Sequence, residues 1–331
     1  MDAAACKEFF AGIQADPVWM TVFMGIVVLL AAIVCSFSIQ KGLERISKYM
    51  MSALLVIMVI LAINSIFQDG GEEGLKFYLI PSLDRMKEAG IGTVIVNAMN
   101  QAFFTLSLGM GSMAIFGSYF DKDRSLLGES INICVLDTFV AFTAGLIIFP
   151  ACFAYGVNPD SGFDLIFITL PNIFNSLPLG NVWGSLFFIF LSFAALSTVF
   201  AVFENILACT MDQFGWSRKK AAVINGVALF LLSLPAVLGL NVWSAIQPLG
   251  EGSNILILED AIVSYFVLPL GSLIFTLFCV SKYGWGWDNF IKEANTGKGL
   301  KVQKWMKPYM TYILPVVILV VFLVGLKDFI G

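Results

Sequence analysis

Histidine is absent from all 331 residues. That removes histidine-based catalytic triads, most zinc sites and the commonest physiological-pH switch. The six cysteines (Cys6, Cys35, Cys134, Cys152, Cys209 and Cys279) show no CxxC or other metal spacing and sit mostly inside apolar runs, where thiols pack as small hydrophobes. Charge is scarce as well, at 13% of residues against about 25% in soluble domains. No basic patch is present, so nucleic acid is not an expected partner. Residues 1–16 hold Asp2, Lys7, Glu8 and Asp16 and lack the basic n-region and apolar h-region of a signal peptide. No catalytic constellation stands out, and the chain is not expected to be an enzyme.

What is abundant is apolar sequence: 59% of residues are hydrophobic and mean hydropathy is +0.88. Eight segments come near the ~20 residues that a helix needs to span a bilayer: 17–39, 49–67, 94–119, 131–156, 183–211, 220–240, 256–281 and 309–330. They lack the alternation of barrel strands. The expected fold is an all-α polytopic membrane protein with eight transmembrane helices. Loop charge orients it. If the first segment enters from outside, the inner loops hold 14 of the 19 basic residues, among them Arg45, Lys122, Arg218 to Lys220 and the lysines from Lys282 to Lys307. The positive-inside rule then places both termini outside. The 157–182 connection, with Phe163, Phe167 and Phe174, is read either as an outer lid or as an ordinary amphipathic connector.

The third segment is polar at the wrong depth and carries Gly109 and Gly111 mid-span. Such a stretch either breaks its helix around a polar cavity or packs closely through small residues. Asp137, Glu204 and Asn205 lie within spans and Asp260 opens one; ionisable groups there usually face a cavity or a partner. In the fifth segment Ala194, Ser197 and Thr198, Ala201, Glu204 and Asn205, Ala208 and Asp212 recur at helical spacing. That stripe suits a hard cation through its oxygens, or serves packing and back-bonding. A broken helix beside a hydroxyl stripe forms the midplane site of secondary transporters.

Phe-Phe-Thr-Leu-Ser-Leu-Gly-Met-Gly (103–111), followed by Gly117-Ser118-Tyr119, resembles transmembrane helix six of the neurotransmitter:sodium symporters. Supporting stretches are Lys-Gly-Leu-Glu-Arg (41–45), Leu-Asp-Thr-Phe-Val-Ala (136–141), Phe-Ile-Thr-Leu-Pro (167–171) and Trp-Ser-Arg-Lys (216–219). The chain is similar to the bacterial leucine, tyrosine and tryptophan transporters of that family, over essentially its whole length and in order. The resemblance implies an inverted-repeat fold in which the eight segments stand for helices four to eleven. Residues 17–67 then belong to the first repeat, 94–281 form the second, and 309–330 form an extra helix. Helices one to three are expected to be missing.

By position, Phe104, Thr105, Ser107, Met110, Gly111 and Val202 resemble substrate-pocket residues. Thr105 and Asp137 match the first sodium site; Ala194, Ser197 and Thr198 match half of the second. Gln101 and Asp137 fall in the chloride-linked region. Asp260 resembles the outer gate carboxylate, and Asp212 the inner one, with Ser118, Tyr119 and Glu204 nearby. The implied function is sodium-coupled amino-acid symport at the plasma membrane, with Na+ as coupling ion and no other cofactor. The alternative is a non-transporting remnant, or a membrane subunit needing a separate N-terminal piece. Three departures are carried over. Asp137 replaces an Asn and Ala141 stands where chloride-independent members can carry Glu, which implies chloride independence. Gly42 is followed at the tenth position by Ser52 instead of Pro, which implies a helix less ready to unwind. Met110 replaces an aromatic, which implies an aliphatic or broad substrate range. With their partners absent, Asp212 and Asp260 are expected to be protonated or water-exposed.

Overall fold

The computed structural model describes residues 3–37, 43–154, 166–167, 170–171, 174 and 179–330. Phe163, Gly42 and Lys41 lie outside them. The described residues form helices and no named strand. In chain order they are α1 (Ala3–Ala15), α2 (Pro17–Ser36), α3 (Leu43–Ile66), α4 (Gly71–Leu79), α5 (Leu83–Glu88), α6 (Ile91–Thr105), α7 (Ser112–Ser118) and α8 (Leu126–Ala154). Then come α9 (Gly180–Phe214), α10 (Arg218–Gly239), α11 (Ile255–Val280), α12 (Trp287–Ala294) and α13 (Met306–Lys327).

Seven described helices are long and apolar enough to cross a membrane: α2, α3 from Lys48, α8, α9, α10, α11 and α13. Eight were expected from the sequence. The third segment, 94–119, is no continuous helix, because α6 stops at Thr105 and α7 restarts at Ser112. The start and stop chemistry elsewhere is local. Asp16 caps α2, accepting from the amides of Val18 and Trp19 at 2.9 and 3.1 Å, with Pro17 in the first turn. Gly215, at φ 62°, ends α9. The π-helical turns Val263–Val267 of α11 and Tyr309–Ile313 of α13 lie just before Pro269 and Pro315, whose missing N–H groups disturb the ladder there.

The chain divides into two compact units. The first holds Met1–Pro81 and Phe139–Leu256. Its core joins Leu54, Met58 and Leu61 of α3 with Ile147 and Ala151 of α8 and Phe187 and Phe190 of α9. Small residues bring α2 and α10 together: a Cβ on Gly226 falls 3.4 Å from that of Ala32, the close approach typical of membrane helices. The outer helix α4 lies on α8 in the same way. Gly74 abuts the Phe149 carbonyl, and the Tyr78 ring covers Gly145 while its hydroxyl donates to the Phe142 carbonyl at 3.3 Å. Burial pushes the Tyr78 phenol above its ordinary pKa. Phe167 stacks on Phe10 at 4.9 Å, and Phe174 is buried against Phe187.

The second unit holds Ser82–Thr138 and Ile257–Gly331. Val96 and Phe103 of α6 pack with Leu268 of α11 and Ile318 and Val321 of α13. At one end of this unit Trp287, Ala294 and Val302 form a second small core.

Candidate functional site

The break between α6 and α7 is built from backbone chemistry. The Leu108 amide donates to the Phe103 carbonyl at 2.9 Å, and the Ser107 amide to the Phe104 carbonyl at 3.0 Å. These are the two bonds of a Schellman motif, whose left-handed position is usually glycine. Here Ser107 occupies it, at φ 52°, in a conformation that costs a non-glycine residue roughly 1–3 kcal/mol. Gly109 and Gly111 follow at φ 84° and 83°. The loop is seated backbone to backbone on α11: a Cβ on Gly109 would strike the Leu268 carbonyl, and one on Gly271 would strike the Gly109 carbonyl. The helix breaks, and the break packs closely.

Thr105, the last residue of α6, donates its hydroxyl to Asp137 Oδ1 at 2.8 Å. Asp137 is half-buried in the first half of α8. Gln101 lies one turn before Thr105, and both are exposed, while Phe103 is buried. Phe104 is exposed; Ser107, Met110 and Gly111 are half-buried in the break. Ser118 donates to the Ile115 carbonyl at 2.6 Å, and Tyr119 stands edge-on to Phe116. Asp260 is exposed on α11.

In the first unit, Ser197 and Thr198 both donate to the Ala194 carbonyl, at 2.8 and 3.3 Å. Three oxygens thus cluster on one turn of α9, and the lone pairs of both hydroxyls remain for an electrophile. Val202 is half-buried one turn on, and Asp212 is exposed near the helix end. Glu204 is fully buried and forms an ion pair with Arg218 Nη2. Arg218 Nε also donates to the carbonyls of Cys35 and Phe37, each at 2.7 Å, so one guanidinium satisfies both a buried carboxylate and the open C-terminal end of α2.

The family model described as the sodium:neurotransmitter symporter family matches residues 12–330. The chain belongs to that family. An uncharacterized sodium-dependent transporter of Bacillus subtilis, YhdH, is 31% identical over 335 residues, covering 99% of this chain and 72% of that protein. An uncharacterized sodium-dependent transporter of Haemophilus influenzae is 29% identical over 301 residues, covering 90% of this chain and 64% of that protein. The crystal structure of MhsT in complex with L-phenylalanine superposes with a TM-score of 0.85 at 37% identity, covering 97% of this chain and 71% of that one. The chain therefore spans roughly two thirds to three quarters of the length of these proteins. The two bacterial relatives are sodium-dependent transporters, not enzymes, and sodium is the ion that fits the family.

Set in the sodium:neurotransmitter symporter family, the expected site residues fall into two groups. Gln101, Phe104, Thr105, Ser107, Met110, Gly111, Asp137 and the gate residues Ser118, Tyr119 and Asp260 belong to the second unit; Ala194, Ser197, Thr198, Val202, Glu204 and Asp212 belong to the first. Within the second unit Thr105 and Asp137 are in direct contact. Arg218 was not singled out from the sequence, although it lay in the Trp-Ser-Arg-Lys stretch. The signal was there: a buried carboxylate in a span needs a cation, and a cation opening α10 opposes the helix dipole unless it is paired. Ser52, where proline was expected, leaves α3 continuous and donates its hydroxyl to the Lys48 carbonyl at 2.8 Å.

Proposed function

We propose that this chain forms the larger part of a sodium-coupled amino-acid transporter working by alternating access in the plasma membrane, with both termini extracytoplasmic. The observation that carries this reading is the Thr105 hydroxyl held on Asp137 where α6 gives up its helix. A carboxylate and a hydroxyl beside open backbone offer hard oxygen ligands for Na+, and broken helices of transporters place a substrate's own carboxylate beside such an ion. Thr105 and Asp137 would hold the first sodium, and Ala194, Ser197 and Thr198 contribute to a second. In the second unit Phe104, Ser107, Met110 and Gly111 are assigned to substrate contact, and in the first unit Val202 is assigned the same role. MhsT was crystallised with L-phenylalanine, which favours an amino acid as the cargo; the deformable Met110 points to an aliphatic or broad range.

The Asp137 side chain beside Thr105 is assigned the place of chloride, so transport proceeds without that anion. Glu204 and Arg218 tie α9, α10 and the end of α2 together; with Asp212 they are assigned to inner gating in the first unit, Ser118 and Tyr119 to the same role in the second, and Asp260 to the outer gate. Repeat assignment follows the sequence: 17–67 in the first repeat, 94–281 in the second, and 309–330 beyond them.

Each cluster supplies fewer oxygens than a sodium ion takes. Thr105 and Asp137 offer two side chains, and the α9 turn offers three oxygens. We therefore propose that further helices of the kind its relatives carry complete both sites, from the same polypeptide or from a separate piece. Under the alternative, a non-transporting remnant or subunit, no added segment restores activity. The test is uptake of radiolabelled neutral amino acids into proteoliposomes by the chain joined to the first three helices of the Bacillus relative. Uptake that requires sodium, ignores replacement of chloride by gluconate, and is lost in Asp137→Ala is expected. Uptake indifferent to exchanging sodium for potassium would sink the proposal.

A further inference from the structure

The end of the second unit formed by the α11–α13 connection is basic and aromatic beyond what the transporter site uses. The candidate span of α11 ends at Val280 and that of α13 begins at Met306. Directly at these two points stand Lys282 and Tyr283, then Lys304, Trp305 and Lys307. All five side chains are exposed, Tyr283 to 89% and Trp305 to 67%. Among the described residues none of the three lysines is in an ion pair; Lys282 lies over the Tyr283 ring at 5.0 Å and Lys307 over Trp287 at 5.9 Å. Tyr312, one turn further into α13, is exposed to 70%.

The connection between these points is fixed. The amide side chain of Asn295 pairs with the backbone of Val302, accepting at 2.7 Å and donating at 3.2 Å. The apolar face of α12 is turned into the core of Trp287, Ala294 and Val302, so that helix has no free face to lay on a membrane. Lys298 pairs through its backbone with Asp123 and Ser125, which fastens the connection to the α7–α8 loop. The acidic groups of the connection are Asp288 and Glu293, and Glu293 is already engaged by Lys122 at 3.8 Å.

We propose that this surface binds anionic phospholipid headgroups of the leaflet at that end. Exposed Trp and Tyr where spans leave the bilayer sit at headgroup depth. Exposed ammonium groups next to the ends of apolar spans attract lipid phosphates, worth about fivefold in affinity for each lysine. Because the lysines are positioned by a packed connection, little ordering is needed when the lipid binds. The partner is thus a phosphatidylglycerol-like lipid, bound by charge at Lys282, Lys304 and Lys307 and by ring contact at Tyr283, Trp305 and Tyr312. This inference stands on the membrane spans and is independent of the transport reading.

The test uses the whole chain in neutral-detergent micelles, titrated with phosphatidylglycerol or phosphatidylcholine while thermal unfolding is followed. Phosphatidylglycerol is expected to raise Tm and phosphatidylcholine to leave it nearly unchanged. In the variant K282Q/K304Q/K307Q the half-saturating phosphatidylglycerol concentration should rise about a hundredfold when the three lysines act independently. K282R/K304R/K307R, which keeps the charge, should retain the effect and serves where the glutamine variant fails to fold. Equal responses to the two lipids, an unaltered glutamine variant, or loss of the effect in the arginine variant would each overturn the proposal. So would displacement of the lipid by inorganic phosphate at constant ionic strength, which would assign the cations to a soluble anion.

Discussion

Ser107 holds the left-handed position that ends α6, and glycine at that position would relieve the strain. Ser107→Gly is predicted to stabilise the protein by about 1 kcal/mol, read as a rise in Tm. Ser107→Val, with its branched Cβ, should lower Tm by more than that gain. If Ser107 lines the pocket, the glycine variant should also bind substrate more weakly, separating a residue kept for binding from one kept for folding. Gly109 leaves no such choice, because φ and space both forbid a side chain. Gly109→Ala should prevent the break from seating on α11, and loss of the monodisperse peak in size-exclusion chromatography would report it. These two positions show what was legible at this scale. The glycines declared a break in the sequence, but the residue bearing most of its strain is a serine, and serine in an apolar run carries no such signal.

Among the elements, α2, α9 and α10 meet at Arg218. Removing one member of a buried pair takes the counter-ion from the other and costs about 3–5 kcal/mol. Glu204→Ala and Arg218→Ala are each predicted to destabilise the first unit by that amount. The double variant should cost less than the sum of the two, because it orphans no charge. Unfolding of the three variants by a denaturant or by heat closes the cycle. Arg218→Ala should also speed amide exchange near the end of α2, where Cys35 and Phe37 lose their donor, whereas Glu204→Ala should leave that end protected. Equal exchange in both variants would mean that the guanidinium does not hold the helix end. The long helices were legible because each is an unbroken apolar run with local stops such as Asp16–Pro17 and Gly215. α4 and α12 were not. They are short and mixed in charge, and their helical form depends on what they lie against: Phe149 and Gly145 for α4, and Val302 for α12.

For the molecule as a whole, family and helical architecture were readable from order and composition, while the number of continuous spans was not. The expected third span consists of two helices too short to be counted, and the backbone of 106–111, at the glycines that the sequence singled out, is where the helix gives way. Ligand supply is decided at this same scale. Sodium that binds the native state alone stabilises it by about 2.7 kcal/mol at a hundredfold excess over Kd, but only if enough oxygens converge to replace its water. The 331-residue chain offers Thr105 and Asp137 in one unit and Ala194, Ser197 and Thr198 in the other. Its Tm is therefore predicted to be the same in sodium as in potassium at equal ionic strength. Joined to the first three helices of a relative, it should gain a sodium-specific rise that Asp137→Asn and Ser197→Ala each reduce. The two variants should act independently, because under the proposed function the residues belong to different sodium sites. A sodium-specific rise in the chain alone would show that one of the clusters already forms a working site, and the segment supplied by the longer relatives would then be needed for moving the cargo and not for holding the ion.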